Sequence, residues 1–151
     1  MEILPQELII DRIFMIRNKK DMIDRDLADL YGVETRALNQ AVRRNHKRFP
    51  EDFMFQMTLK ELNDGKSQIV TSNKEKMGLR KPPSVFTEQG VAMLSSVLNS
   101  ERAIMVNIQI IRVFSKMRDL LDSHKEILNK LDQLERENVE HDRKITVILS
   151  F

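Results

Sequence analysis

The chain has 151 residues and no cysteine, which excludes disulfide bonds, thiolate metal sites and cysteine nucleophiles and suits a reducing compartment. No apolar run reaches the roughly 18 residues that a membrane helix needs. The first residues include acids and lack a basic segment of the kind that opens a signal peptide. We therefore expect a cytoplasmic protein with no membrane partner.

The net charge of +2 conceals an uneven distribution along the chain. Residues 1–118 carry 20 Lys and Arg against 15 Asp and Glu, whereas residues 119–151 carry 5 against 8. A basic body followed by an acidic tail is typical of a polyanion-binding domain with a separate pairing or spacer segment.

Short strands are predicted in several places. Apolar residues at 13–16 and 22–23 predict a small β-hairpin. The alternation over residues 53–57 has the period of a strand. Residues 67–72 are predicted to form another strand, and residues 84–86 to return beside it.

Two helices joined by a tight turn are predicted between the hairpin and residue 50. Asp24 is the expected N-cap of a helix that ends at Tyr31, and Gly32 can adopt the positive φ that a tight turn requires. Thr35 is the expected cap of a second helix that continues to about Lys47. This spacing is that of a helix-turn-helix.

The second of these helices has one apolar and one polar face. Leu38, Ala41 and Val42 are spaced to point inward, and the small Ala28 of the first helix is placed where the two helices cross. Residues 36–48 include five Lys and Arg and no acid. Arg pairs with guanine, and Asn or Gln with adenine, in the major groove. The residues predicted to contact DNA here are Arg36, Asn39, Gln40, Arg43, Arg44 and Lys47. The alternative is an ordinary helical hairpin with a solvated basic face.

A second basic element lies between the predicted strands at 67–72 and 84–86. It contains Lys74, Lys76, Arg80 and Lys81. We interpret it as a wing that contacts a phosphate backbone or a minor groove, the alternative being a solvated loop.

Helices follow to the end of the chain. Thr87 is the expected cap of a helix, and Ser100 of a much longer one. From residue 124 onward one seam has heptad spacing, with positions a and d alternating. Its members are His124, Ile127, Leu131, Leu134, Asn138, His141, Ile145 and Ile148.

Asn at position a favours a parallel, two-stranded coiled coil, because two Asn side chains can hydrogen-bond across the seam. We therefore expect a homodimer through Leu131, Leu134, Asn138 and Ile145. The alternative is an amphipathic helix that folds back on its own domain.

These elements predict an α+β fold: a helix-turn-helix with small, wing-like β-hairpins, followed by long helices and a C-terminal coiled coil. Residues 1–118 are expected to form the DNA-binding domain and residues 119–151 the coiled coil. The sequence has no Gly-rich phosphate loop, and its three His lack zinc-ligand spacing. We expect no catalytic residue, metal or cofactor, and no enzyme activity.

Five blocks of sequence also resemble a known family. They are residues 24–33 (DRDLADLYGV), 38–45 (LNQAVRRN), 48–56 (RFPEDFMFQ), 67–72 (SQIVTS) and 86–95 (FTEQGVAMLS). In this order they resemble the Orf-six N-terminal domain family, which is related to the KilA-N domains of phages and large DNA viruses. The resemblance spans about residues 9–118.

The resemblance implies a DNA-binding domain of mixed helix and strand, often encoded in prophages. Some relatives look like regulators or antirepressors. Our hypothesis is a sequence-specific binder of double-stranded DNA that acts as a prophage-associated transcriptional regulator at the bacterial nucleoid. The alternative is an antirepressor-type module that binds a repressor protein instead of DNA.

Overall fold

The computed structural model of the chain describes residues 4–64 and 81–149. Short helices and short strands are interspersed along the chain and are followed by one long helix. They are α1 (Gln6–Ile10), β1 (Phe14–Ile16), β2 (Lys19–Ile23), α2 (Asp24–Tyr31), α3 (Thr35–Arg44), a 3-10 turn (His46–Arg48), β3 (Met54–Gln56), α4 (Leu59–Asp64), β4 (Ser84–Thr87), α5 (Glu88–Leu94) and α6 (Glu101–Leu149). The α+β class is confirmed.

The strands form one antiparallel sheet in the order β1-β2-β4-β3. The predicted hairpin is confirmed: β1 and β2 pair with Ile16 opposite Lys19, and the two residues between them, Arg17 and Asn18, have φ of 52° and 62°. Positive φ at both turn residues gives a twist that matches antiparallel strands.

The predicted partner of β4 is wrong. β4 is a central strand, because Val85 and Phe86 pair with β2 on one edge and with β3 on the other. Both edges of β4 are therefore occupied at these positions. The predicted strand at residues 67–72 itself lies outside the described residues.

Apolar residues on one face of the sheet form a cluster with α4. Its members are Phe14, Ile16, Ile23, Phe55, Met57, Leu62 and Val85, all nearly inaccessible to solvent. Residues next to them along the strands point to the opposite face. There Met22 and Phe86, which lie opposite each other in the register, are fully buried.

A buried polar network connects three helices. The Tyr31 hydroxyl of α2 donates to Asn107 Oδ1 of α6, and Asn107 Nδ2 donates to the Val91 carbonyl (2.9 Å) and to Ser95 Oγ (2.6 Å). Burial raises the pKa of the Tyr31 phenol, so this hydroxyl keeps its proton and remains a donor. The network fixes the end of α2 against the helices that follow the sheet.

Both of the later helix caps were predicted correctly. Thr87 Oγ1 accepts a hydrogen bond from the Gly90 N–H, and Ser100 Oγ from the Ala103 N–H (3.1 Å). Gly90 must lack a side chain, because a Cβ there would lie 2.0 Å from the Phe53 carbonyl oxygen.

The contacts within the chain define two compact units, Met1–Phe114 and Ser115–Phe151. The first contains the sheet and its core. In the second, the Leu, Ile and Val side chains between residues 120 and 139 of α6 are exposed. They are Leu120, Leu121, Ile127, Leu128, Leu131, Leu134 and Val139, each 47% to 70% accessible.

Candidate DNA-binding surface

The two helices and the turn predicted around Gly32 are present. α2 covers Asp24–Tyr31, Gly32 follows with φ 73°, and α3 begins at Thr35. The Gly32 and Val33 N–H groups donate to the carbonyls of Asp29 and Ala28, which closes the end of α2.

The two caps expected here are wrong by one position. Ile23 precedes α2 and Glu34 precedes α3, so that Asp24 and Thr35 are the first helical residues and neither cap position has a side-chain hydrogen bond. Asp24 Oδ1 accepts instead from the N–H of Arg25, at 2.7 Å. The carboxylate therefore still satisfies a free N–H at the start of α2.

α3 ends at Arg44, three residues before the predicted end. Asn45 Nδ2 donates to the Ala41 carbonyl (2.8 Å), the group that the backbone N–H of residue 45 would take in a continuing helix. The N–H of Asn45 bonds to Val42 instead, and the chain continues as the 3-10 turn that holds Lys47.

The outer face of α3 is basic and exposed. Leu38 and Val42 are buried and hold the helix against the domain, whereas Ala41 is half-buried. The exposed predicted contacts are Arg36, Gln40, Arg43, Arg44 and Lys47. α3 contains no acidic and no aromatic residue.

Asn39 differs from the other predicted contacts. It is half-buried, and its Nδ2 donates to Asp24 Oδ2 at 2.9 Å. The same oxygen lies 3.4 Å from the N–H of Ser84. Asp24, which is only 7% accessible, thus connects α2, α3 and the start of β4.

A groove of about 1140 Å³ lies beside α3. Asn39 and Arg43 line it from α3, and Lys81 lines it from the segment that leads into β4. The structure therefore brings one predicted wing residue to the same groove as two residues of the predicted recognition helix. The other predicted wing residues, Lys74, Lys76 and Arg80, lie outside the described residues.

Two arginines that the sequence reasoning did not select, Arg17 and Arg25, also line this groove. Arg17 donates through Nε and a terminal nitrogen to both carboxylate oxygens of Glu61, each at 2.9 Å, and stacks 4.0 Å above the Phe55 ring. The hydrogen bonds from Arg17 lower the pKa of Glu61 to about 2. Nothing in the sequence signalled this pair, because its members are 44 residues apart.

The other chemical possibilities receive no positive support in the described part of the chain. No group of three or more His, Asp and Glu there has a metal-binding arrangement. Of the three acids in α2, Asp24 accepts hydrogen bonds from Arg25 and Asn39, and Asp29 pairs with Arg12 at 2.5 Å. No helix among the described residues has the length and apolarity that crossing a bilayer requires.

Comparison with known families gives one match. The model of the ORF6N domain matches residues 11–97, which include the hairpin, both helices of the turn, β3, β4 and α5. This is the Orf-six N-terminal domain, so the resemblance inferred from the five sequence blocks is confirmed. No curated protein and no solved structure matches the chain.

Proposed function

Because the chain belongs to the ORF6N domain family, a DNA-binding family related to the phage KilA-N domains, we propose that it binds double-stranded DNA in a sequence-specific manner. α3 enters the major groove, and the segment around Lys81 contacts the backbone. The protein acts as a prophage-associated transcriptional regulator and not as an enzyme. The observation that carries this proposal is the exposed, acid-free outer face of α3.

The side chains on this face divide between two tasks. Gln40 and Arg43 present an amide and a guanidinium, the groups that make paired hydrogen bonds to adenine and guanine edges. Arg36, Arg44 and Lys47 supply charges for phosphates, which fix the position of the helix without reading sequence. Asn39, whose amide is engaged with Asp24, contributes mainly by holding α3 in place.

The alternative, an antirepressor that binds a repressor protein, predicts a different surface. Protein interfaces depend on buried aromatic and apolar anchors, and α3 exposes neither an aromatic nor a large aliphatic side chain. This favours DNA over a protein as the ligand of α3.

The long helix supports a further part of the proposal, a homodimer formed through a parallel coiled coil. Of the predicted seam, Ile127, Leu131 and Leu134 are exposed at 56%, 52% and 55%. Leu128 directly follows the d residue Ile127, and Leu121 lies one heptad earlier. Both are exposed and widen the apolar stripe. Such a stripe costs free energy while it is exposed to water, so covering it with a second helix is favourable. Two chains would present two copies of α3 to a two-fold-related site.

Selection of bound sites from random duplex DNA, at about 50 and about 200 mM salt, tests the DNA-binding proposal. We expect one enriched motif at both salt concentrations and an affinity that decreases steeply with salt. Recovery of unenriched DNA at both concentrations, or an affinity independent of salt, would contradict it. The matched control is a variant with Arg36, Gln40 and Arg43 all changed to Ala, which should enrich no motif.

A further inference from the structure

The groove beside α3 is lined by more cations than the sequence predicted. Arg25 lines it from α2, Arg43 from α3 and Lys81 from the segment before β4. Arg17 and the two acids Asp24 and Glu51 complete its charged lining. Three different elements thus bring positive charge to one groove.

The charged groups of the lining are not equally free to bind a ligand. Arg17 is held by both oxygens of Glu61, and the Asp24 carboxylate is engaged by N–H donors from Arg25, Asn39 and Ser84. The ion pair with Glu61 neutralises Arg17, whereas the hydrogen bonds to Asp24 occupy its oxygens without removing its charge. Arg25, Arg43 and Lys81 therefore face two acids, Asp24 and the exposed Glu51.

The ion pair of Arg25 is longer than those of Arg12 and Arg17. Its Nε lies 4.0 Å from Asp26 Oδ1, at the outer limit of an ion pair, and its side chain is 40% accessible. The Asp26 side chain is only 15% accessible. Burial raises the pKa of Asp26.

The elements that carry these cations are tied to one another. Asp24 precedes Arg25 in α2, bonds to Asn39 on α3 one turn before Arg43, and reaches the N–H of Ser84, three residues after Lys81. Cations held on connected, rigid elements lose little entropy when they bind. Arg is also well suited to phosphate, because its planar donors match two phosphate oxygens.

We propose that this groove, which both Arg25 and Lys81 line, holds one sugar–phosphate strand of the bound duplex, and that Arg25 contacts one of its phosphates. The proposal rests on the proposed function and deepens it, since it assigns the backbone contact that accompanies α3 in the major groove. The half-buried apolar residues of the lining, Met54 and Pro82, can pack against deoxyribose.

The test is Arg25→Gln in the full chain, compared with Arg112→Gln. Arg112 is exposed on α6 and lines a different, apolar groove with Ile108 and Ile111, so that its replacement removes the same charge elsewhere. Fluorescence anisotropy gives the affinity for the selected duplex and for a scrambled duplex over a range of salt. Thermal melting checks that both variants are folded.

Arg25→Gln should flatten the slope of log affinity against log salt by about 0.9, the value for one phosphate contact. It should weaken binding to both duplexes by the same factor, because phosphates carry no sequence information. Arg112→Gln should leave the slope unchanged.

The outcomes separate this inference from the function on which it rests. If the wild type binds with a steep salt dependence and Arg44→Gln flattens the slope while Arg25→Gln does not, the groove assignment is overturned and DNA binding by α3 stands. Equal effects of Arg25→Gln and Arg112→Gln would show that only the net charge of the protein matters, and would also overturn the groove assignment. A wild type that binds no DNA overturns both proposals.

Discussion

Asp21 is the side chain whose replacement should stabilise this protein. It lies in β2, opposite Phe14 of β1 and Thr87 of β4, and is 0% accessible. Neither of its carboxylate oxygens has a hydrogen-bond partner among the described residues. Burial of the carboxyl group without a hydrogen bond raises the pKa of Asp21 from 3.8 to about 8, although the charges of Lys19 and Arg17 oppose the shift.

The direction of the pH effect follows from which state binds the proton. Between the unfolded pKa of 3.8 and the folded pKa of about 8, Asp21 is protonated in the folded state and ionised in the unfolded state. The folded state therefore binds one more proton, and the free energy of unfolding decreases by about 1.4 kcal/mol per pH unit from this group. Between about pH 5 and about pH 7, the ionisation of Asp21 therefore lowers the free energy of unfolding by roughly 3 kcal/mol as an upper bound.

Asp21→Asn removes the titration and keeps the shape of the side chain. Urea unfolding at a series of pH values gives the free energy of unfolding for the variant and the wild type. We expect their difference to grow by up to about 1.4 kcal/mol per unit in favour of the variant as the pH rises through this window. Asp11→Asn, at an exposed position, is the control and should show no such trend. Parallel pH profiles for Asp21→Asn and the wild type would refute the reasoning.

Three other experiments have defined expected outcomes. Gly90→Ala places a Cβ 2.0 Å from the Phe53 carbonyl oxygen and should destabilise the fold by about 1–3 kcal/mol in urea unfolding, since backbone must shift; an unchanged midpoint would show that α5 is not packed this closely. Asn39→Ala and Asp24→Asn each weaken the same hydrogen bond, so in a double-mutant cycle their effects on DNA affinity should be less than additive, and full additivity would mean that the pair does not position α3. Light scattering should give a dimer at tens of micromolar protein, weakened by truncation after Leu121; a mass near 17.8 kDa for the intact chain would rule the dimer out, and a fully dimeric truncated chain would place the interface elsewhere.

Sequence reasoning succeeded where the local chemistry of one residue type marks the end or the start of a helix. Gly32 marks the end of α2 because its φ of 73° is strained for any side chain. Thr87 and Ser100 mark helix starts because their hydroxyls accept backbone N–H groups within three residues. In each case the evidence is local in sequence.

It could not supply the contacts that join distant parts of the chain. Asn39 has the type and spacing of a base-reading residue, and only the fold shows that its amide is engaged by Asp24, 15 residues earlier. The central position of β4 depends on pairing with β2, more than 60 residues before it. Asp21 was not singled out, because its burial results from strands that assemble only in the fold.

The central claim, that the outer face of α3 reads DNA sequence, is tested most directly by the ratio of affinities for the selected and the scrambled duplex. Measured by anisotropy at one salt concentration, this ratio separates base reading from general attraction to phosphate. Gln40→Ala and Arg43→Ala should each reduce it by about fivefold or more, since each removes about 1–3 kcal/mol of discrimination. Ratios equal to that of the wild type in both variants would contradict the account.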